Sequence, residues 1–169
     1  MIRRTVAIVV VVVTALLLQS TVFADLRLLG VRPELLYLIT IVLALLEGPN
    51  EGAIVGFTSG LAQDFLLNEP KGITALTLTL LGYAIGMTRQ FIVSPSPLLP
   101  TIIVFVGTAA GLAFYEVVSF LLGNFVQPVT YGAKVALLAA AYNAVLTPLL
   151  YPLLRRISEG SRPRKVVRF

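Results

Sequence analysis

The sequence contains no cysteine, histidine or tryptophan, and it has few charged residues. Without cysteine there is no disulfide or reactive thiolate, and without histidine there is no imidazole base and no Cys/His zinc site. Only 12% of the 169 residues are charged, against about 25% in soluble domains. Hydrophobic residues make up 57%, and the mean hydropathy is +0.94. A chain this short and apolar cannot bury its hydrophobic surface in one soluble core, which predicts an integral membrane protein.

Six apolar runs predict an all-α membrane protein, a compact bundle of six transmembrane helices over residues 1–154, followed by a basic tail at 155–169. The expected spans are 5–24, 33–48, 51–67, 72–88, 98–122 and 131–154. The first run could instead be a cleaved signal peptide, but its apolar core is longer than usual and further runs follow. The second reaches only about 24 Å, short of the ~30 Å hydrocarbon layer. Either the bilayer thins there, or neighbouring helices cover this run, or it forms a re-entrant hairpin with the third.

The basic residues predict the orientation of the bundle. Six spans place both termini on one side, and that side would carry nine basic residues against four on the other. The nine are Arg3, Arg4, Arg89, Arg155, Arg156, Arg162, Arg164, Lys165 and Arg168, and the four are Arg27, Arg32, Lys71 and Lys134. The positive-inside rule therefore predicts a multi-pass membrane protein with cytoplasmic termini. The positive charge then serves topology and contact with anionic lipids, at about 1 kcal/mol per residue, rather than nucleic acid.

Small residues recur at four-residue spacing in the apolar runs. Such spacing places them on one helix face, where they let two helix backbones approach closely. We therefore expect these positions to serve helix packing or partner contact. They are Gly48, Gly52, Gly56, Gly60 and Asp64 around the third run, and Gly82 and Gly86 in the fourth. The fifth run repeats the spacing with Gly107 and Gly111.

Ionisable residues within the spans are expensive unless they are paired. On the predicted topology Asp64, Lys71, Glu116 and Lys134 all lie in the outer half, so an intramembrane polar cluster of these four is geometrically possible. The alternative is that Asp64 simply caps or anchors a helix end. A role facing a partner or a substrate remains open beside it. Gln63 and Asn143 could add interhelical hydrogen bonds of about 0.6 kcal/mol each.

Several catalytic chemistries have no support in the sequence. The stretch Gly56-Phe57-Thr58-Ser59-Gly60 resembles a serine-nucleophile elbow, yet no histidine is present to activate Ser59. No glycine-rich loop ends in Lys-Ser or Lys-Thr for nucleotide phosphates, and no acidic loop has metal-ligand spacing. We therefore expect no catalytic, cofactor-binding or metal-binding residues and no enzymatic activity.

Four short motifs carry a resemblance to a known family. They are Arg32-Pro33-Glu34-Leu35-Leu36, Glu51-Gly52-x-x-x-Gly56-Phe57-x-x-Gly60-Leu61-x-x-Asp64, Pro70-x-Gly72 and Gly82-Tyr83-x-x-Gly86. With them the chain resembles the rod shape-determining protein MreD family. The motifs lie between residues 32 and 86, whereas length, hydropathy and basic ends fit nearly the whole chain.

The resemblance implies a non-enzymatic component of the cell-elongation complex in the bacterial inner membrane, which links cell shape to peptidoglycan synthesis. The implied partners are an MreC-like single-span protein, a RodA-type glycosyltransferase with its transpeptidase, and MreB filaments indirectly. It also implies a fold resembling the substrate-binding subunits of energy-coupling-factor transporters. The alternative is a solute-binding membrane subunit of a vitamin-type transporter, with Asp64 and Glu116 in an outward pocket. Gly52, Gly56, Gly60 and Asp64 correspond to family motif positions without catalytic roles.

Overall fold

Six α-helices account for most of the chain in the computed structural model, which describes residues 2–25, 30–66, 72–91, 98–124 and 128–160. The helices are α1 Ile2–Asp25, α2 Leu35–Glu47, α3 Pro49–Leu66, α4 Ile73–Thr88, α5 Leu98–Leu121 and α6 Val129–Gly160, with a 3₁₀ turn at Arg89–Phe91. The described residues contain no β-strand. The all-helical prediction is confirmed for that part of the chain.

Helix α2 lies at the centre of the bundle. Every residue from Leu35 to Leu45 is buried, and all five other helices pack against α2. Its 13 residues extend about 20 Å at 1.5 Å per residue. A helix of this length can be fully apolar without spanning lipid, because its neighbours remove its side chains from the surroundings. Of the explanations for the short second run, coverage by neighbouring helices is the one seen here.

A single residue connects α2 to α3. Gly48 has φ +106°, a conformation that favours glycine, and its N–H donates to the Ala44 carbonyl at 2.9 Å. Pro49 then begins α3, where its fixed φ and missing N–H are well tolerated. The sequence predicts a turn over Gly48–Asn50 and a helix from about Glu51. The structure shortens this turn to Gly48 alone.

Helix α1 packs on the bundle along one stripe only. Val12, Ala15, Leu16 and Gln19 are buried, at the three- and four-residue spacing of one helix face. Large apolar side chains on its other faces are exposed, and α1 contacts α2 and α6. Helix α1 therefore lies at the periphery of the described bundle.

Helix α6 is the longest element and continues beyond the expected limit at residue 154. Its 32 residues correspond to about 48 Å, with Pro148 and Pro152 inside the helix. Within the described ranges, two segments are long and apolar enough to cross a membrane, Leu98–Leu121 and Val129–Ser158. Shorter apolar helices lie at Thr5–Thr21, Leu35–Glu47 and Ile73–Thr88. The first six residues of the expected basic tail are thus helical, and 161–169 lie outside the described residues.

Candidate functional site

The glycines of α3 and α4 bring the backbones of the two helices into direct contact. A Cβ atom added to Gly52 would lie 2.5 Å from the Gly82 carbonyl oxygen, and one added to Gly56 would lie 2.5 Å from the Leu78 carbonyl carbon. One added to Gly60 would lie 2.6 Å from the Ala75 Cα. Real Cβ atoms essentially never come within 3.0 Å of such neighbours. We call this line of contact the glycine seam, formed by Gly52, Gly56, Gly60, Gly82 and Gly86.

Gly48 and Asp64, the first and last residues of the predicted four-residue series around α3, have other roles. Gly48 ends α2 rather than lying in α3, but a Cβ on Gly86 would meet Gly48 and Pro49, so the junction contributes to the glycine seam. Asp64, at the other end, is fully buried and accepts hydrogen bonds at one carboxylate oxygen. The backbone N–H of Gly72 donates to Oδ2 at 2.8 Å and that of Ala75 at 3.1 Å.

Asp64 therefore caps the helix that follows its own. Gly72 is the N-cap residue of α4 and Ala75 lies in its first turn, where backbone N–H groups have no partner within the helix. A carboxylate there satisfies these donors and interacts favourably with the positive end of the helix dipole. The arrangement corresponds to the capping interpretation of Asp64.

Of the predicted polar cluster, the structure describes Asp64, Glu116 and Lys134, and it does not bring these three together. Asp64 is bonded to α4, whereas Glu116 in α5 lies half-buried beside Gly132 of α6. Lys134 is exposed, and no ion pair between Glu116 and Lys134 occurs in the described structure. Lys71 lies outside the described residues. Helix α3 packs chiefly on α2 and α4, which separates Asp64 from the α5–α6 pair.

A different polar group occupies the interior, centred on Glu34. Its side-chain Oε2 accepts from Gln19 Nε2 at 2.8 Å and from Gln63 Nε2 at 3.5 Å. Its Oε1 lies 3.4 Å from Arg32 Nε. Glu34 is only 9% exposed, so these donors replace water around the carboxylate. The ion pair and two amides together make its burial tolerable.

Asn143 of α6 completes this group, which we call the Glu34 centre: Glu34, Gln19, Arg32, Gln63 and Asn143. Its Nδ2 donates to the Glu34 backbone carbonyl at 2.8 Å and lies 3.1 Å from Thr108 Oγ1. The same carbonyl accepts the first backbone hydrogen bond of α2, from the Leu38 N–H at 3.3 Å, so Asn143 is its second donor. The Glu34 centre thus ties α1, α3, α5 and α6 to the start of the central helix.

The sequence identified part of the Glu34 centre. Gln63 and Asn143 were expected to form interhelical hydrogen bonds, and both do. The sequence analysis names Glu34 only as part of a family motif and does not single out Gln19. A signal existed for Gln19, because it continues the three- and four-residue spacing of Val12, Ala15 and Leu16 on the buried stripe. No feature of a single sequence indicates that Gln19 forms a hydrogen bond with Glu34.

The buried hydroxyl groups of Ser59 and Ser158 are used in structural contacts. Ser59 Oγ donates to the Val55 carbonyl at 2.6 Å and lies 3.4 Å from Thr40 Oγ1, so this hydroxyl is engaged within the helix pair. At the C-terminal end of α2, Ser158 Oγ donates to Glu47 Oε1. The described residues contain no group of three or more acidic side chains that could hold a metal ion.

The family model for the rod shape-determining protein MreD matches residues 1–157, nearly the whole chain. No curated protein and no solved structure matches the chain. The match spans all six helices and includes the glycine seam, Asp64 and the Glu34 centre. Family membership and the apolar helices indicate a membrane protein with a role in rod shape determination. The chain belongs to the MreD family of rod shape-determining proteins.

Proposed function

We propose that the protein is a non-enzymatic, multi-pass component of the bacterial cell-elongation complex that binds an MreC-like single-span membrane protein. Through that partner it would contact a RodA-type glycosyltransferase and its transpeptidase, and MreB filaments indirectly. In this role it contributes to the control of cell shape and peptidoglycan synthesis as a rigid binding surface within the inner membrane. Members of this family are components of shape determination and are generally not enzymes.

The observation that carries the proposal is the glycine seam. Helices α3 and α4 are in backbone contact, and this close packing makes the helix pair rigid. The opposite faces stay exposed and apolar, with Ile54 and Phe57 on α3 and Leu80 and Tyr83 on α4. A rigid pair with an apolar outer face suits binding of another transmembrane helix, since little flexibility is lost on association.

The use of the polar groups supports the same role. Asp64 caps α4, and Gln19, Gln63 and Asn143 all donate to Glu34. These side chains hold helices in place, which is what a scaffold requires.

The proposed topology has six spans with both termini in the cytoplasm. Nine basic residues on that side against four on the other support this orientation. Reporter fusions after residue 169 and within the 123–130 loop test it. We expect fluorescence of a cytoplasmic reporter at residue 169 and alkaline phosphatase activity from the loop. The opposite pattern would contradict the orientation.

Copurification tests the partner. The tagged chain is coexpressed with an MreC-like single-span protein and extracted in mild detergent, and an unrelated single-span coiled-coil protein is the control. We expect the MreC-like protein alone to copurify in a fixed ratio. Recovery of neither protein, or of both equally, would refute the proposed partner.

Two matched variants locate the binding face. Phe57→Ala truncates an exposed side chain of α3, and Val145→Ala truncates an exposed one of α6, 50% and 75% exposed respectively. Neither side chain belongs to the buried core, so both variants should fold normally. We expect Phe57→Ala to weaken partner recovery and Val145→Ala to leave it unchanged. The reverse result would move the binding face away from α3 and α4.

The transporter-subunit alternative requires Asp64 and Glu116 to line one outward pocket. Asp64 binds the backbone of α4 and Glu116 lies beside α6. No observation on the described residues favours that function over the scaffold.

A further inference from the structure

Three buried amide oxygens of the Glu34 centre have no hydrogen-bond partner among the described residues. They are Gln19 Oε1, Gln63 Oε1 and Asn143 Oδ1, and the three residues are 0%, 4% and 0% exposed. A buried polar oxygen is costly to leave unpaired, and nearly all such atoms in folded proteins have a partner. Three unpaired oxygens beside one carboxylate therefore point to a bound group that the chain itself does not supply.

The nitrogen of each amide donates to Glu34, which limits how far the oxygens can lie from it. Gln19 Nε2 and Gln63 Nε2 lie 2.8 and 3.5 Å from Glu34 Oε2, and Asn143 Nδ2 lies 2.8 Å from the Glu34 carbonyl oxygen. The oxygen and nitrogen of an amide share one carbon, so each unpaired oxygen lies within about 6 Å of a Glu34 oxygen. The three acceptors thus belong to one site.

The charges around this site favour a cation. All three unpaired atoms are acceptors, and Gln63 lies in the last turn of α3, where the helix carbonyls carry partial negative charge. Carboxylate and carbonyl oxygens are the ligands that hard metal cations prefer. Arg32 Nε, 3.4 Å from Glu34 Oε1, already offsets part of the carboxylate charge. A monovalent ion therefore suits the site better than a divalent one, whose charge would stay uncompensated.

The backbone beside the site has a form that is found in membrane cation sites. Residues 31–34 are not helical, although Val31, Pro33 and Glu34 are buried. Non-helical backbone at membrane depth occurs where it is covered by protein or lines a polar cavity. Sodium sites of membrane transporters combine such unwound segments with the C-terminal ends of helices. The start of α2 and the end of α3 provide the same combination here.

We propose that the Glu34 centre binds a sodium ion through Gln19 Oε1, Gln63 Oε1 and Asn143 Oδ1, close to the Glu34 carboxylate. The ion joins α1, α3 and α6 at the start of the central helix, so the stability of the bundle depends on the sodium concentration. Ligands from three separate helices leave no spacing pattern along the chain. A site of this kind therefore differs from the metal motifs that the sequence excludes.

The test measures sodium binding to the purified full chain in detergent. Sodium chloride replaces choline chloride at constant ionic strength, and thermal unfolding is followed by circular dichroism. At ten times the dissociation constant, we expect the unfolding temperature to be about 3–6 °C higher than in choline alone. Equilibrium dialysis against radioactive sodium counts the bound ions, and we expect one per chain.

Three variants locate the ion. Glu34→Gln removes the charge and keeps the shape of the side chain, whereas Gln63→Leu removes one ligand oxygen. Each should weaken sodium binding at least about tenfold, as loss of groups around a metal does. Glu47→Gln makes the same substitution as Glu34→Gln at the C-terminal end of α2, and it should keep the full sodium response. Each variant is compared with itself in sodium and in choline, so a change in its starting stability does not affect the result.

Equal unfolding temperatures of the unaltered chain in sodium and choline, without retained radioactive sodium, would overturn the proposal and assign the oxygens to buried water. An unchanged response in Glu34→Gln, or an equal loss in Glu47→Gln, would also overturn it, because the ion would then bind elsewhere. A stronger response to calcium than to sodium would overturn the choice of a monovalent ion. Copurification of the MreC-like protein is a separate readout, so either proposal can fail alone.

Discussion

Gly56→Ala adds a single methyl group at the centre of the glycine seam. In an isolated helix this change stabilises by about 1 kcal/mol, because glycine is the poorer helix former. In the seam the new Cβ would lie 2.5 Å from the Leu78 carbonyl carbon, and backbone cannot rotate aside as a side chain does. Reaching ordinary contact requires α3 and α4 to separate by about 1 Å, and gaps of that size forfeit a quarter to a half of each contact energy.

Overpacking of this kind costs about 1–3 kcal/mol, and a backbone neighbour places Gly56→Ala at the upper end. After the gain in helix propensity, we expect net destabilisation of about 2 kcal/mol. For a chain of this size that lowers the unfolding temperature by roughly 5 °C. Thermal unfolding in detergent, followed by circular dichroism, measures the change.

Gly132→Ala is the matched control. It makes the same substitution inside a helix, but the nearest atom to its Cβ, at 3.3 Å, belongs to the flexible Glu116 side chain. We expect it to be neutral or slightly stabilising. If Gly56→Ala is as stable as the unaltered chain, or if both variants lose stability equally, the argument from backbone contact is refuted.

The polar contacts give two further predictions. Asp64→Leu removes the acceptor of the Gly72 and Ala75 amides and should cost about 1–2 kcal/mol, with faster hydrogen exchange at these amides. Asp64→Asn keeps an acceptor oxygen, so equal exchange in the two variants would contradict the capping role. For the Glu34 centre, Glu34→Leu and Gln19→Leu should be non-additive in a double-mutant cycle by about 0.5–1.7 kcal/mol. Additive changes in the free energy of unfolding would show that this hydrogen bond does not contribute to stability.

The helical pattern could be predicted because it depends on local properties. Apolar runs bounded by glycine, proline and charge fix the positions of α2 to α5 to within about two residues, and the four-residue glycine spacing predicts close packing of α3. The partner of that packing could be proposed only in general terms. A short connection between α3 and α4 makes the two helices antiparallel neighbours. Gly82 and Gly86 of α4 are therefore placed to pack against the glycines of α3.

The Glu34 centre could not be predicted in the same way. Gln19, Glu34 and Asn143 are separated by 15 and 109 residues along the chain, and no local rule connects such positions. The expected grouping of Asp64 with Glu116 rested on their depth in the membrane alone. Depth does not specify which helices are neighbours, and α3 packs on α2 and α4 instead.

The continuation of α6 has a similar origin. Basic residues after residue 154 predict a solvated tail, whereas burial of Leu154 and Ser158 keeps these turns helical. Only tertiary contact distinguishes the two outcomes, since arginine is itself a good helix former.

The central position of α2 also sets the order in which the protein can be completed during synthesis. Gln19 precedes Glu34 on the ribosome, so the first hydrogen bond of the Glu34 centre can form early. Asn143 follows 109 residues later, after α3, α4 and α5 have emerged. Until then the Glu34 carbonyl has the Leu38 N–H but not the Asn143 side chain as a donor, and α2 lacks its contact with α6. The last helix to be made closes the bundle, so a chain that ends before α6 has no finished interior.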